Sequence, residues 1–177
     1  MDAEMRKAMT GDEAELVRFY EEVCAAQVDS EYGPRWHYGI YPAAEDLIAH
    51  VRAGECFLCR IGSEIAAACV LSRGDDPLYK DVSWPTAAPP EESRVVHLLA
   101  VHPRFRGQGV ADALLERLIA EAGASQTRAL RLDVLKGNLP AERLYQKHGF
   151  RFVRECTVFY EDTGEVSARL YELDLQR

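Results

Sequence analysis

Two glycines and an alanine, set two residues apart where an amphipathic helix begins, constrain this chain more than any other feature. The stretch is HPRFRGQGVADALLERL, from His102 to Leu118, with Gly107, Gly109 and Ala111 alternating. Glycine costs a helix about 1 kcal/mol relative to alanine, so two of them at a helix start point to something gained there. A helix N-terminus offers free N–H groups and the positive end of the helix dipole, which together bind anions. Small side chains let such an anion approach the main chain, and Arg106 can add a charge-assisted hydrogen bond. The spacing excludes two familiar phosphate cradles. A dinucleotide fold requires G-x-G-x-x-G, and a P-loop requires Gly-Lys-Ser/Thr; the run from Gly107 to Ala111 is neither.

The rest of the chain supplies the context. At 177 residues it is long enough for one sizeable domain, read as 1–177 without a linker or repeat. Hydrophobic periodicity predicts a strand over Met5–Met9 and a helix running to Val28, opened by a capping box from Thr10 to Glu13. A second helix follows over Ala43–Ala53, closed by Gly54. Strands are expected at Cys56–Arg60 and Glu64–Leu71, then a proline-bearing loop from Arg73 to Ser93 that reads as a lid or binding loop. SRVVHLLAV, apolar throughout, reads as a central strand. After the glycine segment come a helix to Ala122, a strand at Ala129–Leu135, a short helix stopped by Gly149, and two final strands turning at Asp162-Thr163-Gly164. That order favours one α/β domain around a mixed sheet.

Composition narrows the function. The formal net charge is -8 with no basic run, which argues against nucleic acid. An acidic surface suits a cationic amine, although solubility explains the same charge. No apolar run of about eighteen residues predicts a membrane span, and the N-terminal residues lack the apolar core of a signal peptide, so the cytoplasm is the expected location. Five cysteines at irregular spacing argue against a disulfide framework. Cys56 and Cys59 form C-x-x-C on a strand, where positions three apart face opposite sides; they read as packed apolar residues. His37, His50 and His148 lack companions at metal-ligand spacing, so no metal is expected. The acid pairs Glu45-Asp46, Asp75-Asp76 and Glu91-Glu92 read as solvated.

Arg106-Gly-Gln-Gly-Val-Ala111 fits R-x-x-G-x-A. It is preceded by Leu99-Ala100-Val101-His102-Pro103 and followed by Asn138, Ala141, Leu144-Tyr145 and Gly149-Phe150. In this series, over about Val95 to Val153, the chain resembles the GNAT superfamily of acyl-CoA-dependent N-acetyltransferases. The resemblance implies a mostly antiparallel sheet of about seven strands flanked by about four helices. It implies acetyl-CoA as cosubstrate, its pyrophosphate on Arg106, Gly107, Gln108, Gly109, Val110 and Ala111. The pantetheine arm would then lie along Leu99 and Val101 like an added strand, with a strand N–H for the oxyanion. Asn138 would orient the cofactor or the end of the preceding strand, and Tyr145 would protonate the departing thiolate.

Where many relatives carry glutamate two residues before the Leu-Ala-Val run, this chain has His97. Strict alternation would put Val95, His97, Leu99 and Val101 on one face, and the titration range of histidine suits a general base; a satisfied core histidine is the competing reading. Trp36, Tyr38 and Tyr41 fall where relatives place the acceptor wall. The expected reaction is direct acetyl transfer to a primary amine of a small molecule in a ternary complex, with no nucleophilic cysteine. A protein or peptide N-acetyltransferase and a non-catalytic CoA-binding module are the alternatives. Relatives are often dimers, so a homodimer is an open expectation.

Overall fold

The computed structural model describes residues 3–27, 32–79 and 81–176. Seven strands form one sheet: β1 (Ala3–Lys7), β2 (Cys56–Ile61), β3 (Glu64–Arg73), β4 (Ser93–Val101), β5 (Ala129–Leu135), β6 (Arg151–Tyr160) and β7 (Gly164–Asp174). Their spatial order is β1-β2-β3-β4-β5-β7-β6. Every neighbouring pair is antiparallel except β4 and β5. Four helices cover the faces: α1 (Glu13–Ala25), α2 (Ala44–Arg52), α3 (Val110–Gly123) and α4 (Leu139–Lys147).

The predicted stripes bury as their periodicity requires. Leu114, Leu115 and Leu118 of α3 pack with Tyr145 of α4 against Phe57, Cys59, Ala67 and Leu132 on one face of the sheet. Leu16, Phe19, Tyr20 and Val23 of α1 join Leu47 and Val51 of α2 on the other, over Cys56, Leu58, Ala68 and Val70. Cys56 and Cys59 thus lie on opposite faces. Burial pushes the Cys56 thiol up to about 12 and the Cys24 thiol to about 11, and all five cysteines are free.

Two local expectations are corrected. The capping box does not form, because the positive φ of Gly11 delays the helix to Glu13, with Asp12 as N-cap. The Asp12 carboxylate instead takes the Arg6 guanidinium and the Met9 N–H, while Glu13 accepts from Gly11 N–H. The predicted helix end at Val28 lies outside the described residues.

The Arg73–Ser93 loop is no free lid. It holds two short 3-10 turns, Pro77–Tyr79 and Pro90–Glu92, and is fastened to the sheet by Arg131 of β5. That buried guanidinium pairs with Glu172 of β7 at 3.1 Å and with Asp75, and donates to the carbonyls of Thr86 and Ala88 at 3.2 Å. It also lies over the Trp84 ring, 4.7 Å from its centroid. Asp75 and Asp76, read as solvated, both serve this docked loop.

The feature that positions the site is a break in β4. Ala68 pairs with Ala100 and Val70 with His97, so β4 carries one extra residue there. Leu98 takes up the excess at φ 53°, a β-bulge. On the other edge, β4 pairs with β5 only over Ser93–Val95; beyond that the two strands part.

Candidate active site

The bulge reverses the alternation expected of β4. Val96, Leu99 and Val101 belong to the α3 and α4 face, whereas Leu98 and Ala100 belong to the α1 face. His97 and Leu99 therefore do not share a face, as strict alternation would have them do. Both nevertheless border the opening between β4 and β5, because the strands have separated there. The same bulge leaves Leu98 and Leu99 unpaired with β3. Tyr20 holds the bulge: its buried hydroxyl donates to the Leu98 carbonyl at 2.7 Å. Tyr20 belongs to the apolar stripe of α1, and nothing local in the sequence marks this bond.

Two chambers meet at the opening. The first is a groove of about 600 Å³ bordered by Leu99 and Val101 of β4, Arg106 and Ala111 at the start of α3, and Asn138, Ala141, Arg143, Leu144, Tyr145 and Lys147 of α4 and its cap. Gly107 and Gly109 both adopt positive φ, 72° and 76°, and Gly109 is the N-cap of α3. The first bond into the helix runs from Ala113 N–H to the Gly109 carbonyl at 3.1 Å. The N–H groups of Val110, Ala111 and Asp112 are thus the unsatisfied donors of a helix start. The Val110 side chain turns into the core, and Gln108 donates its amide to the Arg104 carbonyl at 3.0 Å; only their backbones face outward chemistry.

Arg106 and Arg143 make no ion pair among the described residues, whereas Lys147 is held by Asp112 at 2.5 Å, alongside His148 at 2.9 Å. Arg143 was missed in the sequence; its signal is a cation one turn into the helix that follows Asn138. Asn138 caps α4, accepting from Ala141 N–H at 3.4 Å, and so stands at the junction by virtue of the helix it starts. This donor set, two unpaired guanidinium groups and a glycine-lined helix N-terminus, fits the phosphates of a CoA.

The second chamber is a cavity of about 200 Å³ that shares Pro34, Leu99, Asn138, Ala141 and Tyr145 with the groove. Its other walls include Trp36, Tyr41, His97, Tyr160 and the carboxylates of Asp76, Asp133 and Asp162. Tyr38, grouped with Trp36 and Tyr41 on sequence, does not line it: the chain doubles back through a bridge between His37 and Tyr41. Tyr38 lies instead toward Cys24 and Glu21 of α1. The sequence reading gives none of the three aspartates a place in the site: Asp76 reads there as one of a solvated acid pair. One sits inside a strand, one on the loop and one in a hairpin turn, each looking like an ordinary surface acid.

The electrostatics are set by burial. His97 Nε2 lies 3.8 Å from Asp76 Oδ2, too far for a direct hydrogen bond. Burial holds the imidazole below its ordinary value, outweighing the opposing pull of Asp133 and Asp76, so it is neutral at neutral pH. Tyr145 is 8% exposed, and its hydroxyl has no hydrogen-bond partner among the described residues. Burial raises its pKa well above that of a free phenol. Tyr79 and Tyr160 both donate to Asp133. A neutral base, a protonated phenol and three acids around one cavity can bind an ammonium, remove its proton and supply another nearby.

Residues 15–150 match the Acetyltransferase (GNAT) family. The chain belongs to that family. It is 34% identical over 119 residues to the mycothiol acetyltransferase of Streptosporangium roseum, a match covering 66% of this chain and 30% of that protein. The chain spans less than half the length of the curated relatives it matches. Among solved structures, an acetyltransferase of the GNAT family from Streptococcus agalactiae superposes with a TM-score of 0.79 at 18% identity, over 97% of this chain and 95% of that one. The yncA protein of Salmonella typhimurium, solved with its cofactor acetyl-CoA, gives 0.71 at 16% identity over 98% and 94%. Both likenesses are of fold. As a GNAT domain the chain keeps the signature Arg106-x-x-Gly109-x-Ala111, with histidine at position 97.

Proposed function

We propose that this GNAT domain transfers an acetyl group from acetyl-CoA to a primary amine of a small molecule, by direct attack in a ternary complex. The observation that carries the reading is the junction at Leu99 and Tyr145. There a groove with unpaired arginines meets a cavity lined by carboxylates. An anionic cosubstrate and a cationic acceptor would each find the complementary chamber, with their reacting ends brought together.

Arg106, Arg143 and the N–H groups of Val110, Ala111 and Asp112 hold the phosphates. The backbone of Leu99 and Val101, freed from β5, takes the pantetheine arm as an added strand. Acetyl-CoA supplies the thioester carbonyl to be attacked. The acceptor enters as an ammonium, drawn by the acidic wall, and must lose a proton before it can attack. His97, neutral and beside Asp76, takes that proton at Nε2; the resulting imidazolium is stabilised by the carboxylate. The Leu99 N–H, outside the β3 ladder, faces the developing oxyanion. As the carbon–nitrogen bond forms and the carbon–sulfur bond breaks, the Tyr145 hydroxyl donates to the departing sulfur. Its raised pKa keeps the proton in place until negative charge appears there.

The test is thiol release from acetyl-CoA across a panel of amines, amino acids, aminoglycosides and peptides. Amine-dependent release supports the reading. Tight CoA binding with no release from any acceptor would leave a CoA-binding module instead.

A further inference from the structure

Buried and half-buried carboxylates elsewhere in this protein follow a rule that the acceptor cavity breaks. Glu172 meets Arg131, Glu142 meets Arg169 and Asp12 meets Arg6, as expected where an unpaired buried charge is costly. Among the described residues, no lysine or arginine lines the cavity. Asp133 accepts from two neutral phenols, Tyr79 and Tyr160. Asp76 accepts from Leu78 N–H at 2.8 Å and faces His97. Asp162, whose side chain is 3% exposed, accepts from His37 N–H at 3.2 Å, with the exposed His37 imidazole 3.8 Å away.

A second observation points the same way. Tyr145 places a hydroxyl that is unpartnered among the described residues, on a residue more than nine-tenths buried, between cavity and groove. It marks the end where the reacting nitrogen sits. The three aspartates line the cavity but not the groove, so they lie toward the end away from the cosubstrate. One ammonium would satisfy one carboxylate and leave two uncompensated.

We infer that the acceptor is a diamine or polyamine, resting on the reading of this cavity as the acceptor site. One nitrogen reacts beside Tyr145 while a second, still protonated, is held by Asp162 against the rings of Trp36 and Tyr41. Aromatic faces add cation–π attraction to that carboxylate, and an alkylammonium stays charged at neutral pH. The first ammonium gives a proton to His97 and its nitrogen bonds to the acetyl carbon. The thiolate leaves with the proton of Tyr145, the second proton on the nitrogen is shed to restore the phenol, and His97 returns its own to solvent. The product carries one positive charge fewer than the substrate. Its hold on the aspartates weakens accordingly, which favours release.

The experiment is calorimetric titration of CoA-saturated protein with 1,4-diaminobutane and with n-pentylamine, which has the same chain length but one nitrogen. The diamine binds at least about tenfold more tightly, and Asp162→Asn removes that advantage. Equal affinity of the two amines for the unmodified protein, or binding of neither, overturns the inference without recourse to the variant. Thiol release is measured in parallel. Diamine bound tightly with no CoA formed from acetyl-CoA would end the transferase reading while leaving the dication site standing.

Discussion

The Tyr20 hydroxyl donates to the Leu98 carbonyl at 2.7 Å across 78 residues of sequence. This one bond ties α1 to the bulge of β4, the irregularity that opens the site. Tyr20 is wholly buried, so Tyr20→Phe leaves a buried carbonyl unsatisfied, at a cost of about 1–3 kcal/mol. Denaturant unfolding reads that loss directly. If the bond positions the Leu99 N–H, kcat falls while the affinity for CoA, measured by calorimetry, does not. A variant as active as the parent at the same temperature would reduce Tyr20 to a packing residue.

His97 makes the pH dependence specific. Its imidazole faces Asp76 and Asp133 across the cavity, with His50 and Glu55 further off, and burial outweighs them to lower its pKa. As the proposed base it is therefore ready at neutral pH, and kcat/KM declines only as pH falls below the ordinary histidine value of about 6.5. Asp76→Asn removes a carboxylate that favours the charged form, so this limb moves to lower pH. His97→Ala abolishes the limb and slows turnover about 10²–10⁴-fold. The same limb persisting in that variant would assign it to another group. The lowered pKa also acts on stability. Nothing is lost above about pH 6.5, where the imidazole is neutral folded or unfolded, and stability declines as pH drops below it.

Arg131 predicts a link between stability and acceptor recognition. Its pairing with Glu172 is almost wholly buried, at 2% and 3% exposure, and it carries the loop bearing Asp76 and Leu78. Arg131→Met strands the Glu172 carboxylate and costs about 3–5 kcal/mol, whereas replacing both partners with apolar residues returns much of it. Because the loop walls the cavity and not the groove, KM for the amine rises while CoA affinity holds. Equal losses toward both substrates would show instead that the whole sheet has loosened.

How far the sequence reached depends on the kind of signal. The α3 stripe and the β5 run Ala129–Leu135 were legible because local periodicity and burial agree. The groove at the start of α3, proposed for the cosubstrate, was legible because its glycines, arginine and helix start lie within a few residues of one another. The cavity beside it was not, since Asp76, Asp133 and Asp162 come from a loop, a strand and a hairpin turn and converge only in the fold. The face of His97 was misjudged for a different reason. The bulge sits at Leu98, a residue type that rarely adopts positive φ, so no glycine announced it. Tyr38 lies off the cavity that Trp36 and Tyr41 line because a bridge between His37 and Tyr41 turns the chain within four residues.

Tyr145 gives the most direct test of the chemistry. It packs edge-on against Phe150, with ring centroids 5.6 Å apart, so Tyr145→Phe keeps the ring in place and removes only the hydroxyl. Among the described residues that hydroxyl has no partner to leave unsatisfied, and the variant therefore stays within about 0.5 kcal/mol of the parent in stability. Loss of the proposed proton donor lowers kcat about 10²–10⁴-fold with little change in CoA affinity. An acceptor chemistry limited by sulfur departure would show the largest loss with the least acidic thiol, so comparing acetyl-CoA with acyl donors of more acidic thiols separates roles. If the donor role is right, the deficit of Tyr145→Phe shrinks as the leaving thiol becomes more acidic. A deficit independent of the thiol would mean that the phenol positions the thioester and transfers no proton.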